Sequence, residues 1–216
     1  MIHLLGRLPI ENFYVAVSGG MDSMTLMHFL LKGKRKFTAL YFDHGTDHGR
    51  EARDFVREET ARLGVCLEEG RIDLHDLDLS KSREENWRYQ RYNFLHRYSD
   101  KGPILMAHHL NDAVETYVMS SLKGRPALIP YRNEEYNVIR PFLCTPRIKI
   151  KEWAENNGVK WIEDPSNEDI KYDRNYVRLR MMPMIYHLSP GISTIVEKKI
   201  REKFGEDERM GKVPYL

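Results

Sequence analysis

A short loop with two glycines, two hydroxyls and a carboxylate is the first segment whose residue types could do chemistry. Its sequence is SGGMDS, contributed by Ser18, Gly19, Gly20, Met21, Asp22 and Ser23. The glycines allow a tight turn, and the free N–H groups of the loop and of a following helix would attract phosphate. The serines can add hydroxyl donors. The alternative is an ordinary Gly-Gly turn in which Asp22 or Ser23 caps a helix.

A second segment places two carboxylates one helical turn apart. Residues 108–116 have the sequence HHLNDAVET. A helix that begins near Asn111 would bring Asp112 and Glu115 onto one face as i and i+3 neighbours. Such a pair could hold a hard cation or grip an ammonium group. Acidic residues also stabilise helix N-termini, so a purely structural role is the alternative.

Alternating apolar and amphipathic segments predict the elements that must position these groups. Apolar runs predict strands at 13–17, 37–42, near 65, at 103–107 and at 138–139. Helices are predicted at 22–31, about 50–63, 83–98 and 111–122, after Pro146, and around 176–186 and 192–204. This alternation is typical of an α/β fold with a parallel, five-stranded type of sheet and helices on both faces. Ligands would then bind beyond the carboxyl ends of the strands.

Length and composition favour a soluble globular protein. The 216 residues suffice for one well-buried domain, and 41% are hydrophobic and 31% charged. No apolar run approaches the ~20 residues of a membrane span, and no signal-peptide pattern is present. Cys66 and Cys144 lie far apart and suggest no disulfide framework. We therefore expect a cytoplasmic protein without a membrane partner.

The SGGMDS loop, placed between a strand and a helix, resembles the SGGxDS loop of the PP-loop ATP pyrophosphatases. Four further segments resemble the tRNA(Ile)-lysidine synthases within that superfamily. Residues 108–116 resemble HHxDDxxET, with Asn111 in place of an aspartate, and 84–92 resemble ExxARxxRY, with Trp87 in place of alanine. Residues 140–147 resemble RPLL…R, and 164–183 resemble DxSNxD…RNxxR…P. The resemblance runs from about residue 13 to 183.

This resemblance implies the PP-loop (adenine nucleotide α-hydrolase-like) fold and a ligase that forms a carbon–nitrogen bond. ATP would adenylate the wobble cytidine of a tRNA(Ile) with a CAU anticodon, and lysine would displace AMP to give lysidine. The loop would grip the pyrophosphate end of ATP, and Asp22, with Asp112 as a second ligand, would hold Mg²⁺. Asp112 and Glu115 could instead hold the lysine ammonium. Asp22, Asp112 and Glu115 are thus the expected catalytic residues.

The resemblance also suggests where ATP and RNA would bind. His44 matches the NHG motif of the family and would shape the nucleotide pocket, although a packed, hydrogen-bonded histidine is an equal alternative. Forked guanidinium donors suit phosphate. We therefore expect a basic RNA-binding rim formed by Arg88, Arg91, Arg174 and Arg178. Surface salt bridges are the alternative role for the first two.

The sequence departs from the family in length and leaves other functions open. Family members carry one or two additional domains after the catalytic one, whereas this sequence ends soon after Pro183. We predict a catalytic domain at 1–190 and a helical extension at 191–216. The alternatives are a different RNA or small-molecule acceptor, as in NAD synthetases, and a non-catalytic nucleotide- or tRNA-binding regulator. A tRNA-thiolating enzyme is disfavoured because the two cysteines form no CxxC pair.

Overall fold

Six strands form one sheet at the centre of the computed structural model, which describes residues 1–80 and 82–210. The strands are β1 Tyr14–Val17, β2 Thr38–Asp43, β3 Cys66–Arg71, β4 Ile104–Leu105, β5 Arg132–Asn133 and β6 Val138–Ile139. Their order is β3-β2-β1-β4-β6-β5, and only the β5–β6 pair is antiparallel. The predicted parallel α/β fold is confirmed, and the sheet has one strand more than the five expected. This additional strand is β5, whose two polar residues carry no apolar pattern and are ordered by pairing with the buried β6.

Helices connect and cover the strands. They are α1 Met21–Lys32, α2 Asp47–Leu63, α3 Arg83–Ser99, α4 Leu110–Leu122, α5 Arg147–Asn156, α6 Asp173–Tyr176, α7 Met182–Leu188 and α8 Ile192–Arg209. A 3₁₀ turn spans Pro165–Glu168, and a π-helical turn spans Val177–Met181. The helical stretch predicted around 176–186 is thus confirmed, with a π-helical turn inside it. Pro183 has no N–H to donate to the preceding turn, and the π-helical turn lies directly before it.

Local capping sets the starts of α2 and α3. Thr46 Oγ1 accepts a hydrogen bond from the Gly49 N–H at 2.9 Å, so α2 begins three residues before the predicted position. Gly64 ends α2 in the left-handed conformation, with φ of +67°. Ser82 and Glu85 form a reciprocal capping box that fixes the first turn of α3.

The side chains of the central strand alternate between the two faces of the sheet. Val15 and Val17 pack with α1 and α5 in one hydrophobic cluster, whereas Tyr14 and Ala16 contact a second cluster that includes residues of α3. A third cluster joins α4 to the end of the chain, because Val196 and Ile200 of α8 are buried there. The predicted helix after residue 190 thus corresponds to α8, and residues 211–216 of the predicted extension lie outside the described residues.

The reversal of strand order beside β1 creates the place for a site. The chain moves from β1 to β2 and β3 on one side and then returns to β4 on the other side of β1. The segments that follow β1, β2 and β4 therefore converge beyond the carboxyl ends of the strands. Within residues 1–80 and 82–210, none of the helices combines the length and apolar character needed to span a bilayer.

Candidate active site

The SGGMDS loop is braced by hydrogen bonds of its own serine side chains. The Ser23 hydroxyl accepts a hydrogen bond from the Ser18 N–H at 3.0 Å and donates one to the Gly20 carbonyl at 3.0 Å. Gly19 has φ of +82°, a conformation that disfavours other residues. No side chain of the described residues caps the start of α1. Backbone N–H groups at the loop and the first turn of α1 can therefore bind phosphate oxygens.

Asp22 points from this loop towards the end of β4. Its Oδ2 lies 3.6 Å from His109 Nε2 and 3.6 Å from Arg147 Nε. Its Oδ1 is buried and has no hydrogen-bond partner among the described residues. A carboxylate oxygen of this kind fits a hard cation such as Mg²⁺, which commonly binds one or two carboxylates together with substrate phosphates. No cluster of three ligating side chains occurs within the described ranges, so phosphates would have to complete the coordination.

His109 links Asp22 to the second predicted carboxylate. Its Nδ1 accepts the backbone N–H of Asp112 at 3.2 Å, and its own backbone N–H donates to Asp112 Oδ2 at 3.0 Å. Burial alone would lower the pKa of His109, but the carboxylates of Asp112 and Asp22 raise it above its usual value. Residues that follow β1 and β4 are thereby connected into one polar site.

Asp112 and Glu115 face the same direction, as their i and i+3 spacing predicts, and both contact arginines from the other end of the chain. Arg174 donates to Glu115 Oε2 at 3.1 Å and to Asp112 Oδ1 at 3.0 Å. Arg178 forms a fork on Glu115, with bonds of 2.8 and 2.9 Å. We call these four residues the ion-pair cluster. Glu115 is only 4% exposed, so its charge is compensated inside the protein.

The ion-pair cluster changes the geometry expected for its members. The guanidinium groups of Arg174 and Arg178 are bound to carboxylates, although Arg174 also lines one cavity together with Arg88 and Arg91. The RNA-binding rim of Arg88, Arg91, Arg174 and Arg178 therefore stays a prediction. The sequence pattern could not show that residues separated by about sixty positions pair. Burial alone would raise the pKa of Asp112, but His109 and Arg174 hold it below its usual value.

The loop borders a cavity of about 350 Å³, here called the loop cavity. Its wall includes the SGGMDS loop, the apolar side chains of Ala52 and Ile162, and His44. The His44 ring lies 5.2 Å from the Phe42 ring and 5.3 Å from the Trp87 ring. Burial, and secondarily Arg91, lowers the pKa of His44 to about 4. His44 is thus an uncharged part of a cavity that combines a phosphate-binding end with an apolar wall.

A second cavity of about 500 Å³, the middle cavity, adjoins the loop cavity. Both are lined by His44, Arg91 and Asp164. The middle cavity adds Trp87 and Arg88 of α3 and Arg174 of the ion-pair cluster, with Arg83 lying 4.4 Å over the Trp87 ring. Its lining of guanidinium groups and aromatic rings suits a phosphate-bearing heterocycle.

The two C-terminal motifs are joined by Asn175. Its amide donates to the Ser166 carbonyl at 2.7 Å and to the Asp169 carbonyl at 3.0 Å. Asp164 accepts the Ser166 N–H at 2.8 Å and starts the 3₁₀ turn. The spacing of these motifs therefore maintains one wall of the middle cavity and directs Arg174 towards α4.

Sequence reasoning missed several residues of the site. Arg83 and Trp87 line the middle cavity, but only the mismatch at Trp87 was visible in the sequence. Arg147 reaches Asp22, and its position at the end of the RPFL…R segment was the one available signal. The backbone N–H of Arg147 donates to Asn111 Oδ1 at 2.9 Å. Asn111, which stands where the family pattern has an aspartate, thus still supplies an oxygen that binds the start of α5.

With this geometry established, comparison with known proteins shows the family. Residues 2–185 match the PP-loop domain family, and the chain belongs to it. It is similar to the tRNA(Ile)-lysidine synthase of Thermotoga sp. (strain RQ2), with 37% identity over 204 residues that cover 88% of this chain and 49% of that protein. It is also similar to the tRNA(Ile)-lysidine synthase of Thermus thermophilus, with 32% identity over 195 residues, 87% of this chain and 38% of that protein. The predicted resemblance is confirmed, and the chain spans about half or less of these relatives.

Solved structures agree on the fold. A U34-tRNA thiolase from Methanococcus maripaludis aligns over 93% of this chain and 75% of its own, with a TM-score of 0.74 and 16% identity. An NH3-dependent NAD synthetase from Campylobacter jejuni aligns over 97% and 91%, with a TM-score of 0.54 and 13% identity. At these identities the likeness concerns the fold alone.

Proposed function

We propose that the chain activates an RNA nucleotide with ATP and joins an amine to it, as a lysidine synthase does. The acceptor proposed is the wobble cytidine of a tRNA(Ile) with a CAU anticodon, and the amine is lysine. The observation that carries the proposal is that the loop cavity, which ends at the SGGMDS loop, and the basic and aromatic middle cavity share His44, Arg91 and Asp164 in their walls. A nucleotide in each cavity would bring an α-phosphate and an acceptor base together.

In the first step, the cytosine carbonyl oxygen attacks the α-phosphorus of ATP. An oxygen–phosphorus bond forms, the bond between the α-phosphorus and the bridging oxygen breaks, and pyrophosphate leaves. N–H groups at the SGGMDS loop would bind the leaving group, and Arg147 beside Asp22 adds positive charge there. Asp22 would hold Mg²⁺, which would neutralise the phosphate oxygens.

In the second step, the lysine side-chain amine attacks the activated ring carbon. A carbon–nitrogen bond forms, the carbon–oxygen bond breaks, AMP leaves with that oxygen, and the attacking nitrogen passes a proton to water. A lysine ammonium that approached Asp112 and Glu115 would meet carboxylates that already bind guanidinium groups. We propose that they act mainly as positioning residues that hold Arg174 at the wall of the middle cavity. Direct binding of the lysine ammonium would require Arg174 to move.

The location of the cysteines disfavours sulfur transfer as the alternative. Cys66 is the first residue of β3 and therefore lies at the amino end of a parallel strand, away from the site at the carboxyl ends. Cys144 is buried in the cluster between α4 and α8, where burial raises the pKa of its thiol to about 11. A reactive cysteine instead needs access to the site and surroundings that favour its thiolate.

The test uses labelled lysine, ATP and magnesium with two tRNAs that share the CAU anticodon, tRNA(Ile) and the methionine tRNA. The proposal predicts label in tRNA(Ile), none with Asp22→Asn, and a higher KM for RNA with Arg174→Gln. Equal labelling of both tRNAs would show that this chain does not discriminate between them. ATP cleavage that depends on another acceptor, with neither tRNA labelled, would refute lysidine formation.

A further inference from the structure

Four basic residues lie together where α1 ends and the chain turns towards β2. They are Lys32, Lys34, Arg35 and Lys36, here called the basic turn. The Lys34 N–H donates to the Leu31 carbonyl at 2.8 Å, and the Arg35 N–H donates to the Leu30 carbonyl at 3.0 Å. The backbone that carries these cations is thus fixed by hydrogen bonds.

Lys34 stands in a backbone conformation that its side chain does not favour. Its φ is +57°, a left-handed value that glycine adopts without strain. Gly33, directly before it, has an ordinary φ of −77°. The sequence therefore places a cation, and not the glycine, at the strained position, which favours a role for its charge.

The charges of the basic turn are not compensated by neighbouring acids. In the part of the chain that the structure describes, none of its four cations forms an ion pair with a carboxylate. Lys32 instead donates to the amide oxygen of Asn157. Arg62 of α2, in contrast, binds Glu59 of the same helix. An uncompensated positive surface of this kind attracts anions.

Helix α5 connects the basic turn with the candidate active site. Its first residue, Arg147, lies beside Asp22, and Asn157, which follows its last residue, binds Lys32. Between positions 147 and 160 the chain has four basic residues and two acidic ones. An excess of positive charge therefore continues from the active site to the basic turn.

The distance between the two places sets the kind of ligand that could contact both. α1 begins at the SGGMDS loop and ends at the basic turn, so its 12 residues separate them by about 18 Å. One reacting nucleotide in the cavities cannot span that length, whereas a folded RNA can. Contacts from lysine and arginine to RNA phosphates add affinity without reading sequence.

We propose that the basic turn binds backbone phosphates of the RNA substrate, away from the reacting nucleotide, with the RNA lying along α5. This inference rests on the proposed RNA substrate and adds a surface that holds it outside the catalytic cavities. The competing partner is an anionic lipid surface, because Leu8 and Ile10 line a cavity of about 360 Å³ beside Arg35. RNA is favoured because the excess positive charge continues along α5 to the SGGMDS loop.

The test measures the affinity of the full chain for tRNA(Ile) by fluorescence anisotropy at about 50–200 mM salt, without ATP or lysine. One variant removes three cations of the basic turn, through Lys34→Gln, Arg35→Gln and Lys36→Gln. The matched control removes as many cations from the exposed side of α8, through Lys198→Gln, Lys199→Gln and Lys203→Gln. Circular dichroism and urea unfolding verify that both variants are folded.

The basic-turn variant should bind tRNA(Ile) about 10-fold or more weakly than the wild type near 0.1 M salt. Its slope of log affinity against log salt should be smaller by about 2–3, because each lost phosphate contact removes roughly 0.7–0.9. The control should stay within about 2-fold of the wild type, since its cations lie away from α5. An equal loss in both variants would show an effect of net charge alone and would overturn the inference.

Hairpins that carry the anticodon loop on stems of increasing length show whether one RNA reaches both places. In the wild type and the control, affinity should rise once the stem spans α5, and this rise should be missing in the basic-turn variant. A rise that persists in that variant would overturn the inference. Unchanged RNA affinity together with lost binding to phosphatidylserine vesicles would also overturn it, in favour of a membrane. Labelling of tRNA by lysine is measured separately, so a failed RNA surface and a failed lysidine reaction give different results.

Discussion

The ion-pair cluster leads to a prediction about stability that can be worked out from its contacts. Glu115 is buried and receives a forked pair of bonds from Arg178 at 2.8 and 2.9 Å. Charge-assisted hydrogen bonds of this kind contribute roughly 1.5–3 kcal/mol, and breaking a fully buried pair costs about 3–5 kcal/mol. The Arg178 side chain is 36% exposed, and Arg174 still compensates Glu115, so the lower part of that range applies.

We therefore expect Arg178→Met and Glu115→Gln each to lower the free energy of unfolding by about 2 kcal/mol. Methionine retains most of the apolar stem of arginine, and glutamine retains the shape of glutamate. Because both changes remove the same contact, the double variant should lose less than the sum, with a coupling of about 1–2 kcal/mol.

Urea unfolding followed by circular dichroism measures these values. With a slope of about 2–3 kcal/mol per molar urea, each single change should lower the midpoint by about 0.7–1 M. The matched control is Arg201→Met, because Arg201 pairs with Glu197 at 2.7 Å on the exposed side of α8. That change should cost less than about 1 kcal/mol. A coupling below about 0.5 kcal/mol between Glu115 and Arg178 would refute the argument that the cluster is a compensated buried unit.

Three further outcomes are expected from other parts of the molecule. The pKa of His44 is lowered to about 4, so its contribution to stability is present above pH 6.5 and is lost as the pH falls towards 4. Between pH 7 and 4.5, the free energy of unfolding measured with urea should fall by about 2 kcal/mol more in the wild type than in His44→Gln. An equal fall in the two proteins would contradict this. Gly102→Ala should destabilise by about 2 kcal/mol or more, because its Cβ would overlap the Asn12 carbonyl oxygen; an unchanged melting temperature would contradict this. Gly205→Ala, in α8 with open space around it, should instead stabilise by about 0.5–1 kcal/mol in the same assay, and a loss would contradict this.

Local sequence patterns predicted the elements around the SGGMDS loop well. The apolar run before the loop forms β1, and the helix expected at 22–31 is α1, Met21–Lys32. A buried strand, a glycine turn and a helix follow one another here within about twenty residues, so the local sequence pattern is enough to predict them. The carboxylate pair on α4 was predictable for the same reason, since helical spacing alone fixes it.

Long-range pairing explains what the sequence did not reveal. Arg174 and Arg178 looked available for RNA because their partners, Asp112 and Glu115, are some sixty residues away. A cavity between α3 and the β5–β6 hairpin was also hidden, because this hairpin has two polar residues in one strand and only two apolar residues in the other. Such features depend on which elements pack together, and periodicity within one element carries no information about that.

The central claim is that the SGGMDS loop directs cleavage between the α- and β-phosphates of ATP for an RNA acceptor. The most direct measurement incubates the chain with α-labelled ATP, magnesium, tRNA(Ile) and lysine, and separates the labelled nucleotides. We predict labelled AMP that requires the tRNA and is lost in Asp22→Asn, since Asp22 Oδ1 is buried beside the loop without a partner among the described residues. Labelled ADP as the sole nucleotide product, or AMP formation that persists in Asp22→Asn, would contradict the account.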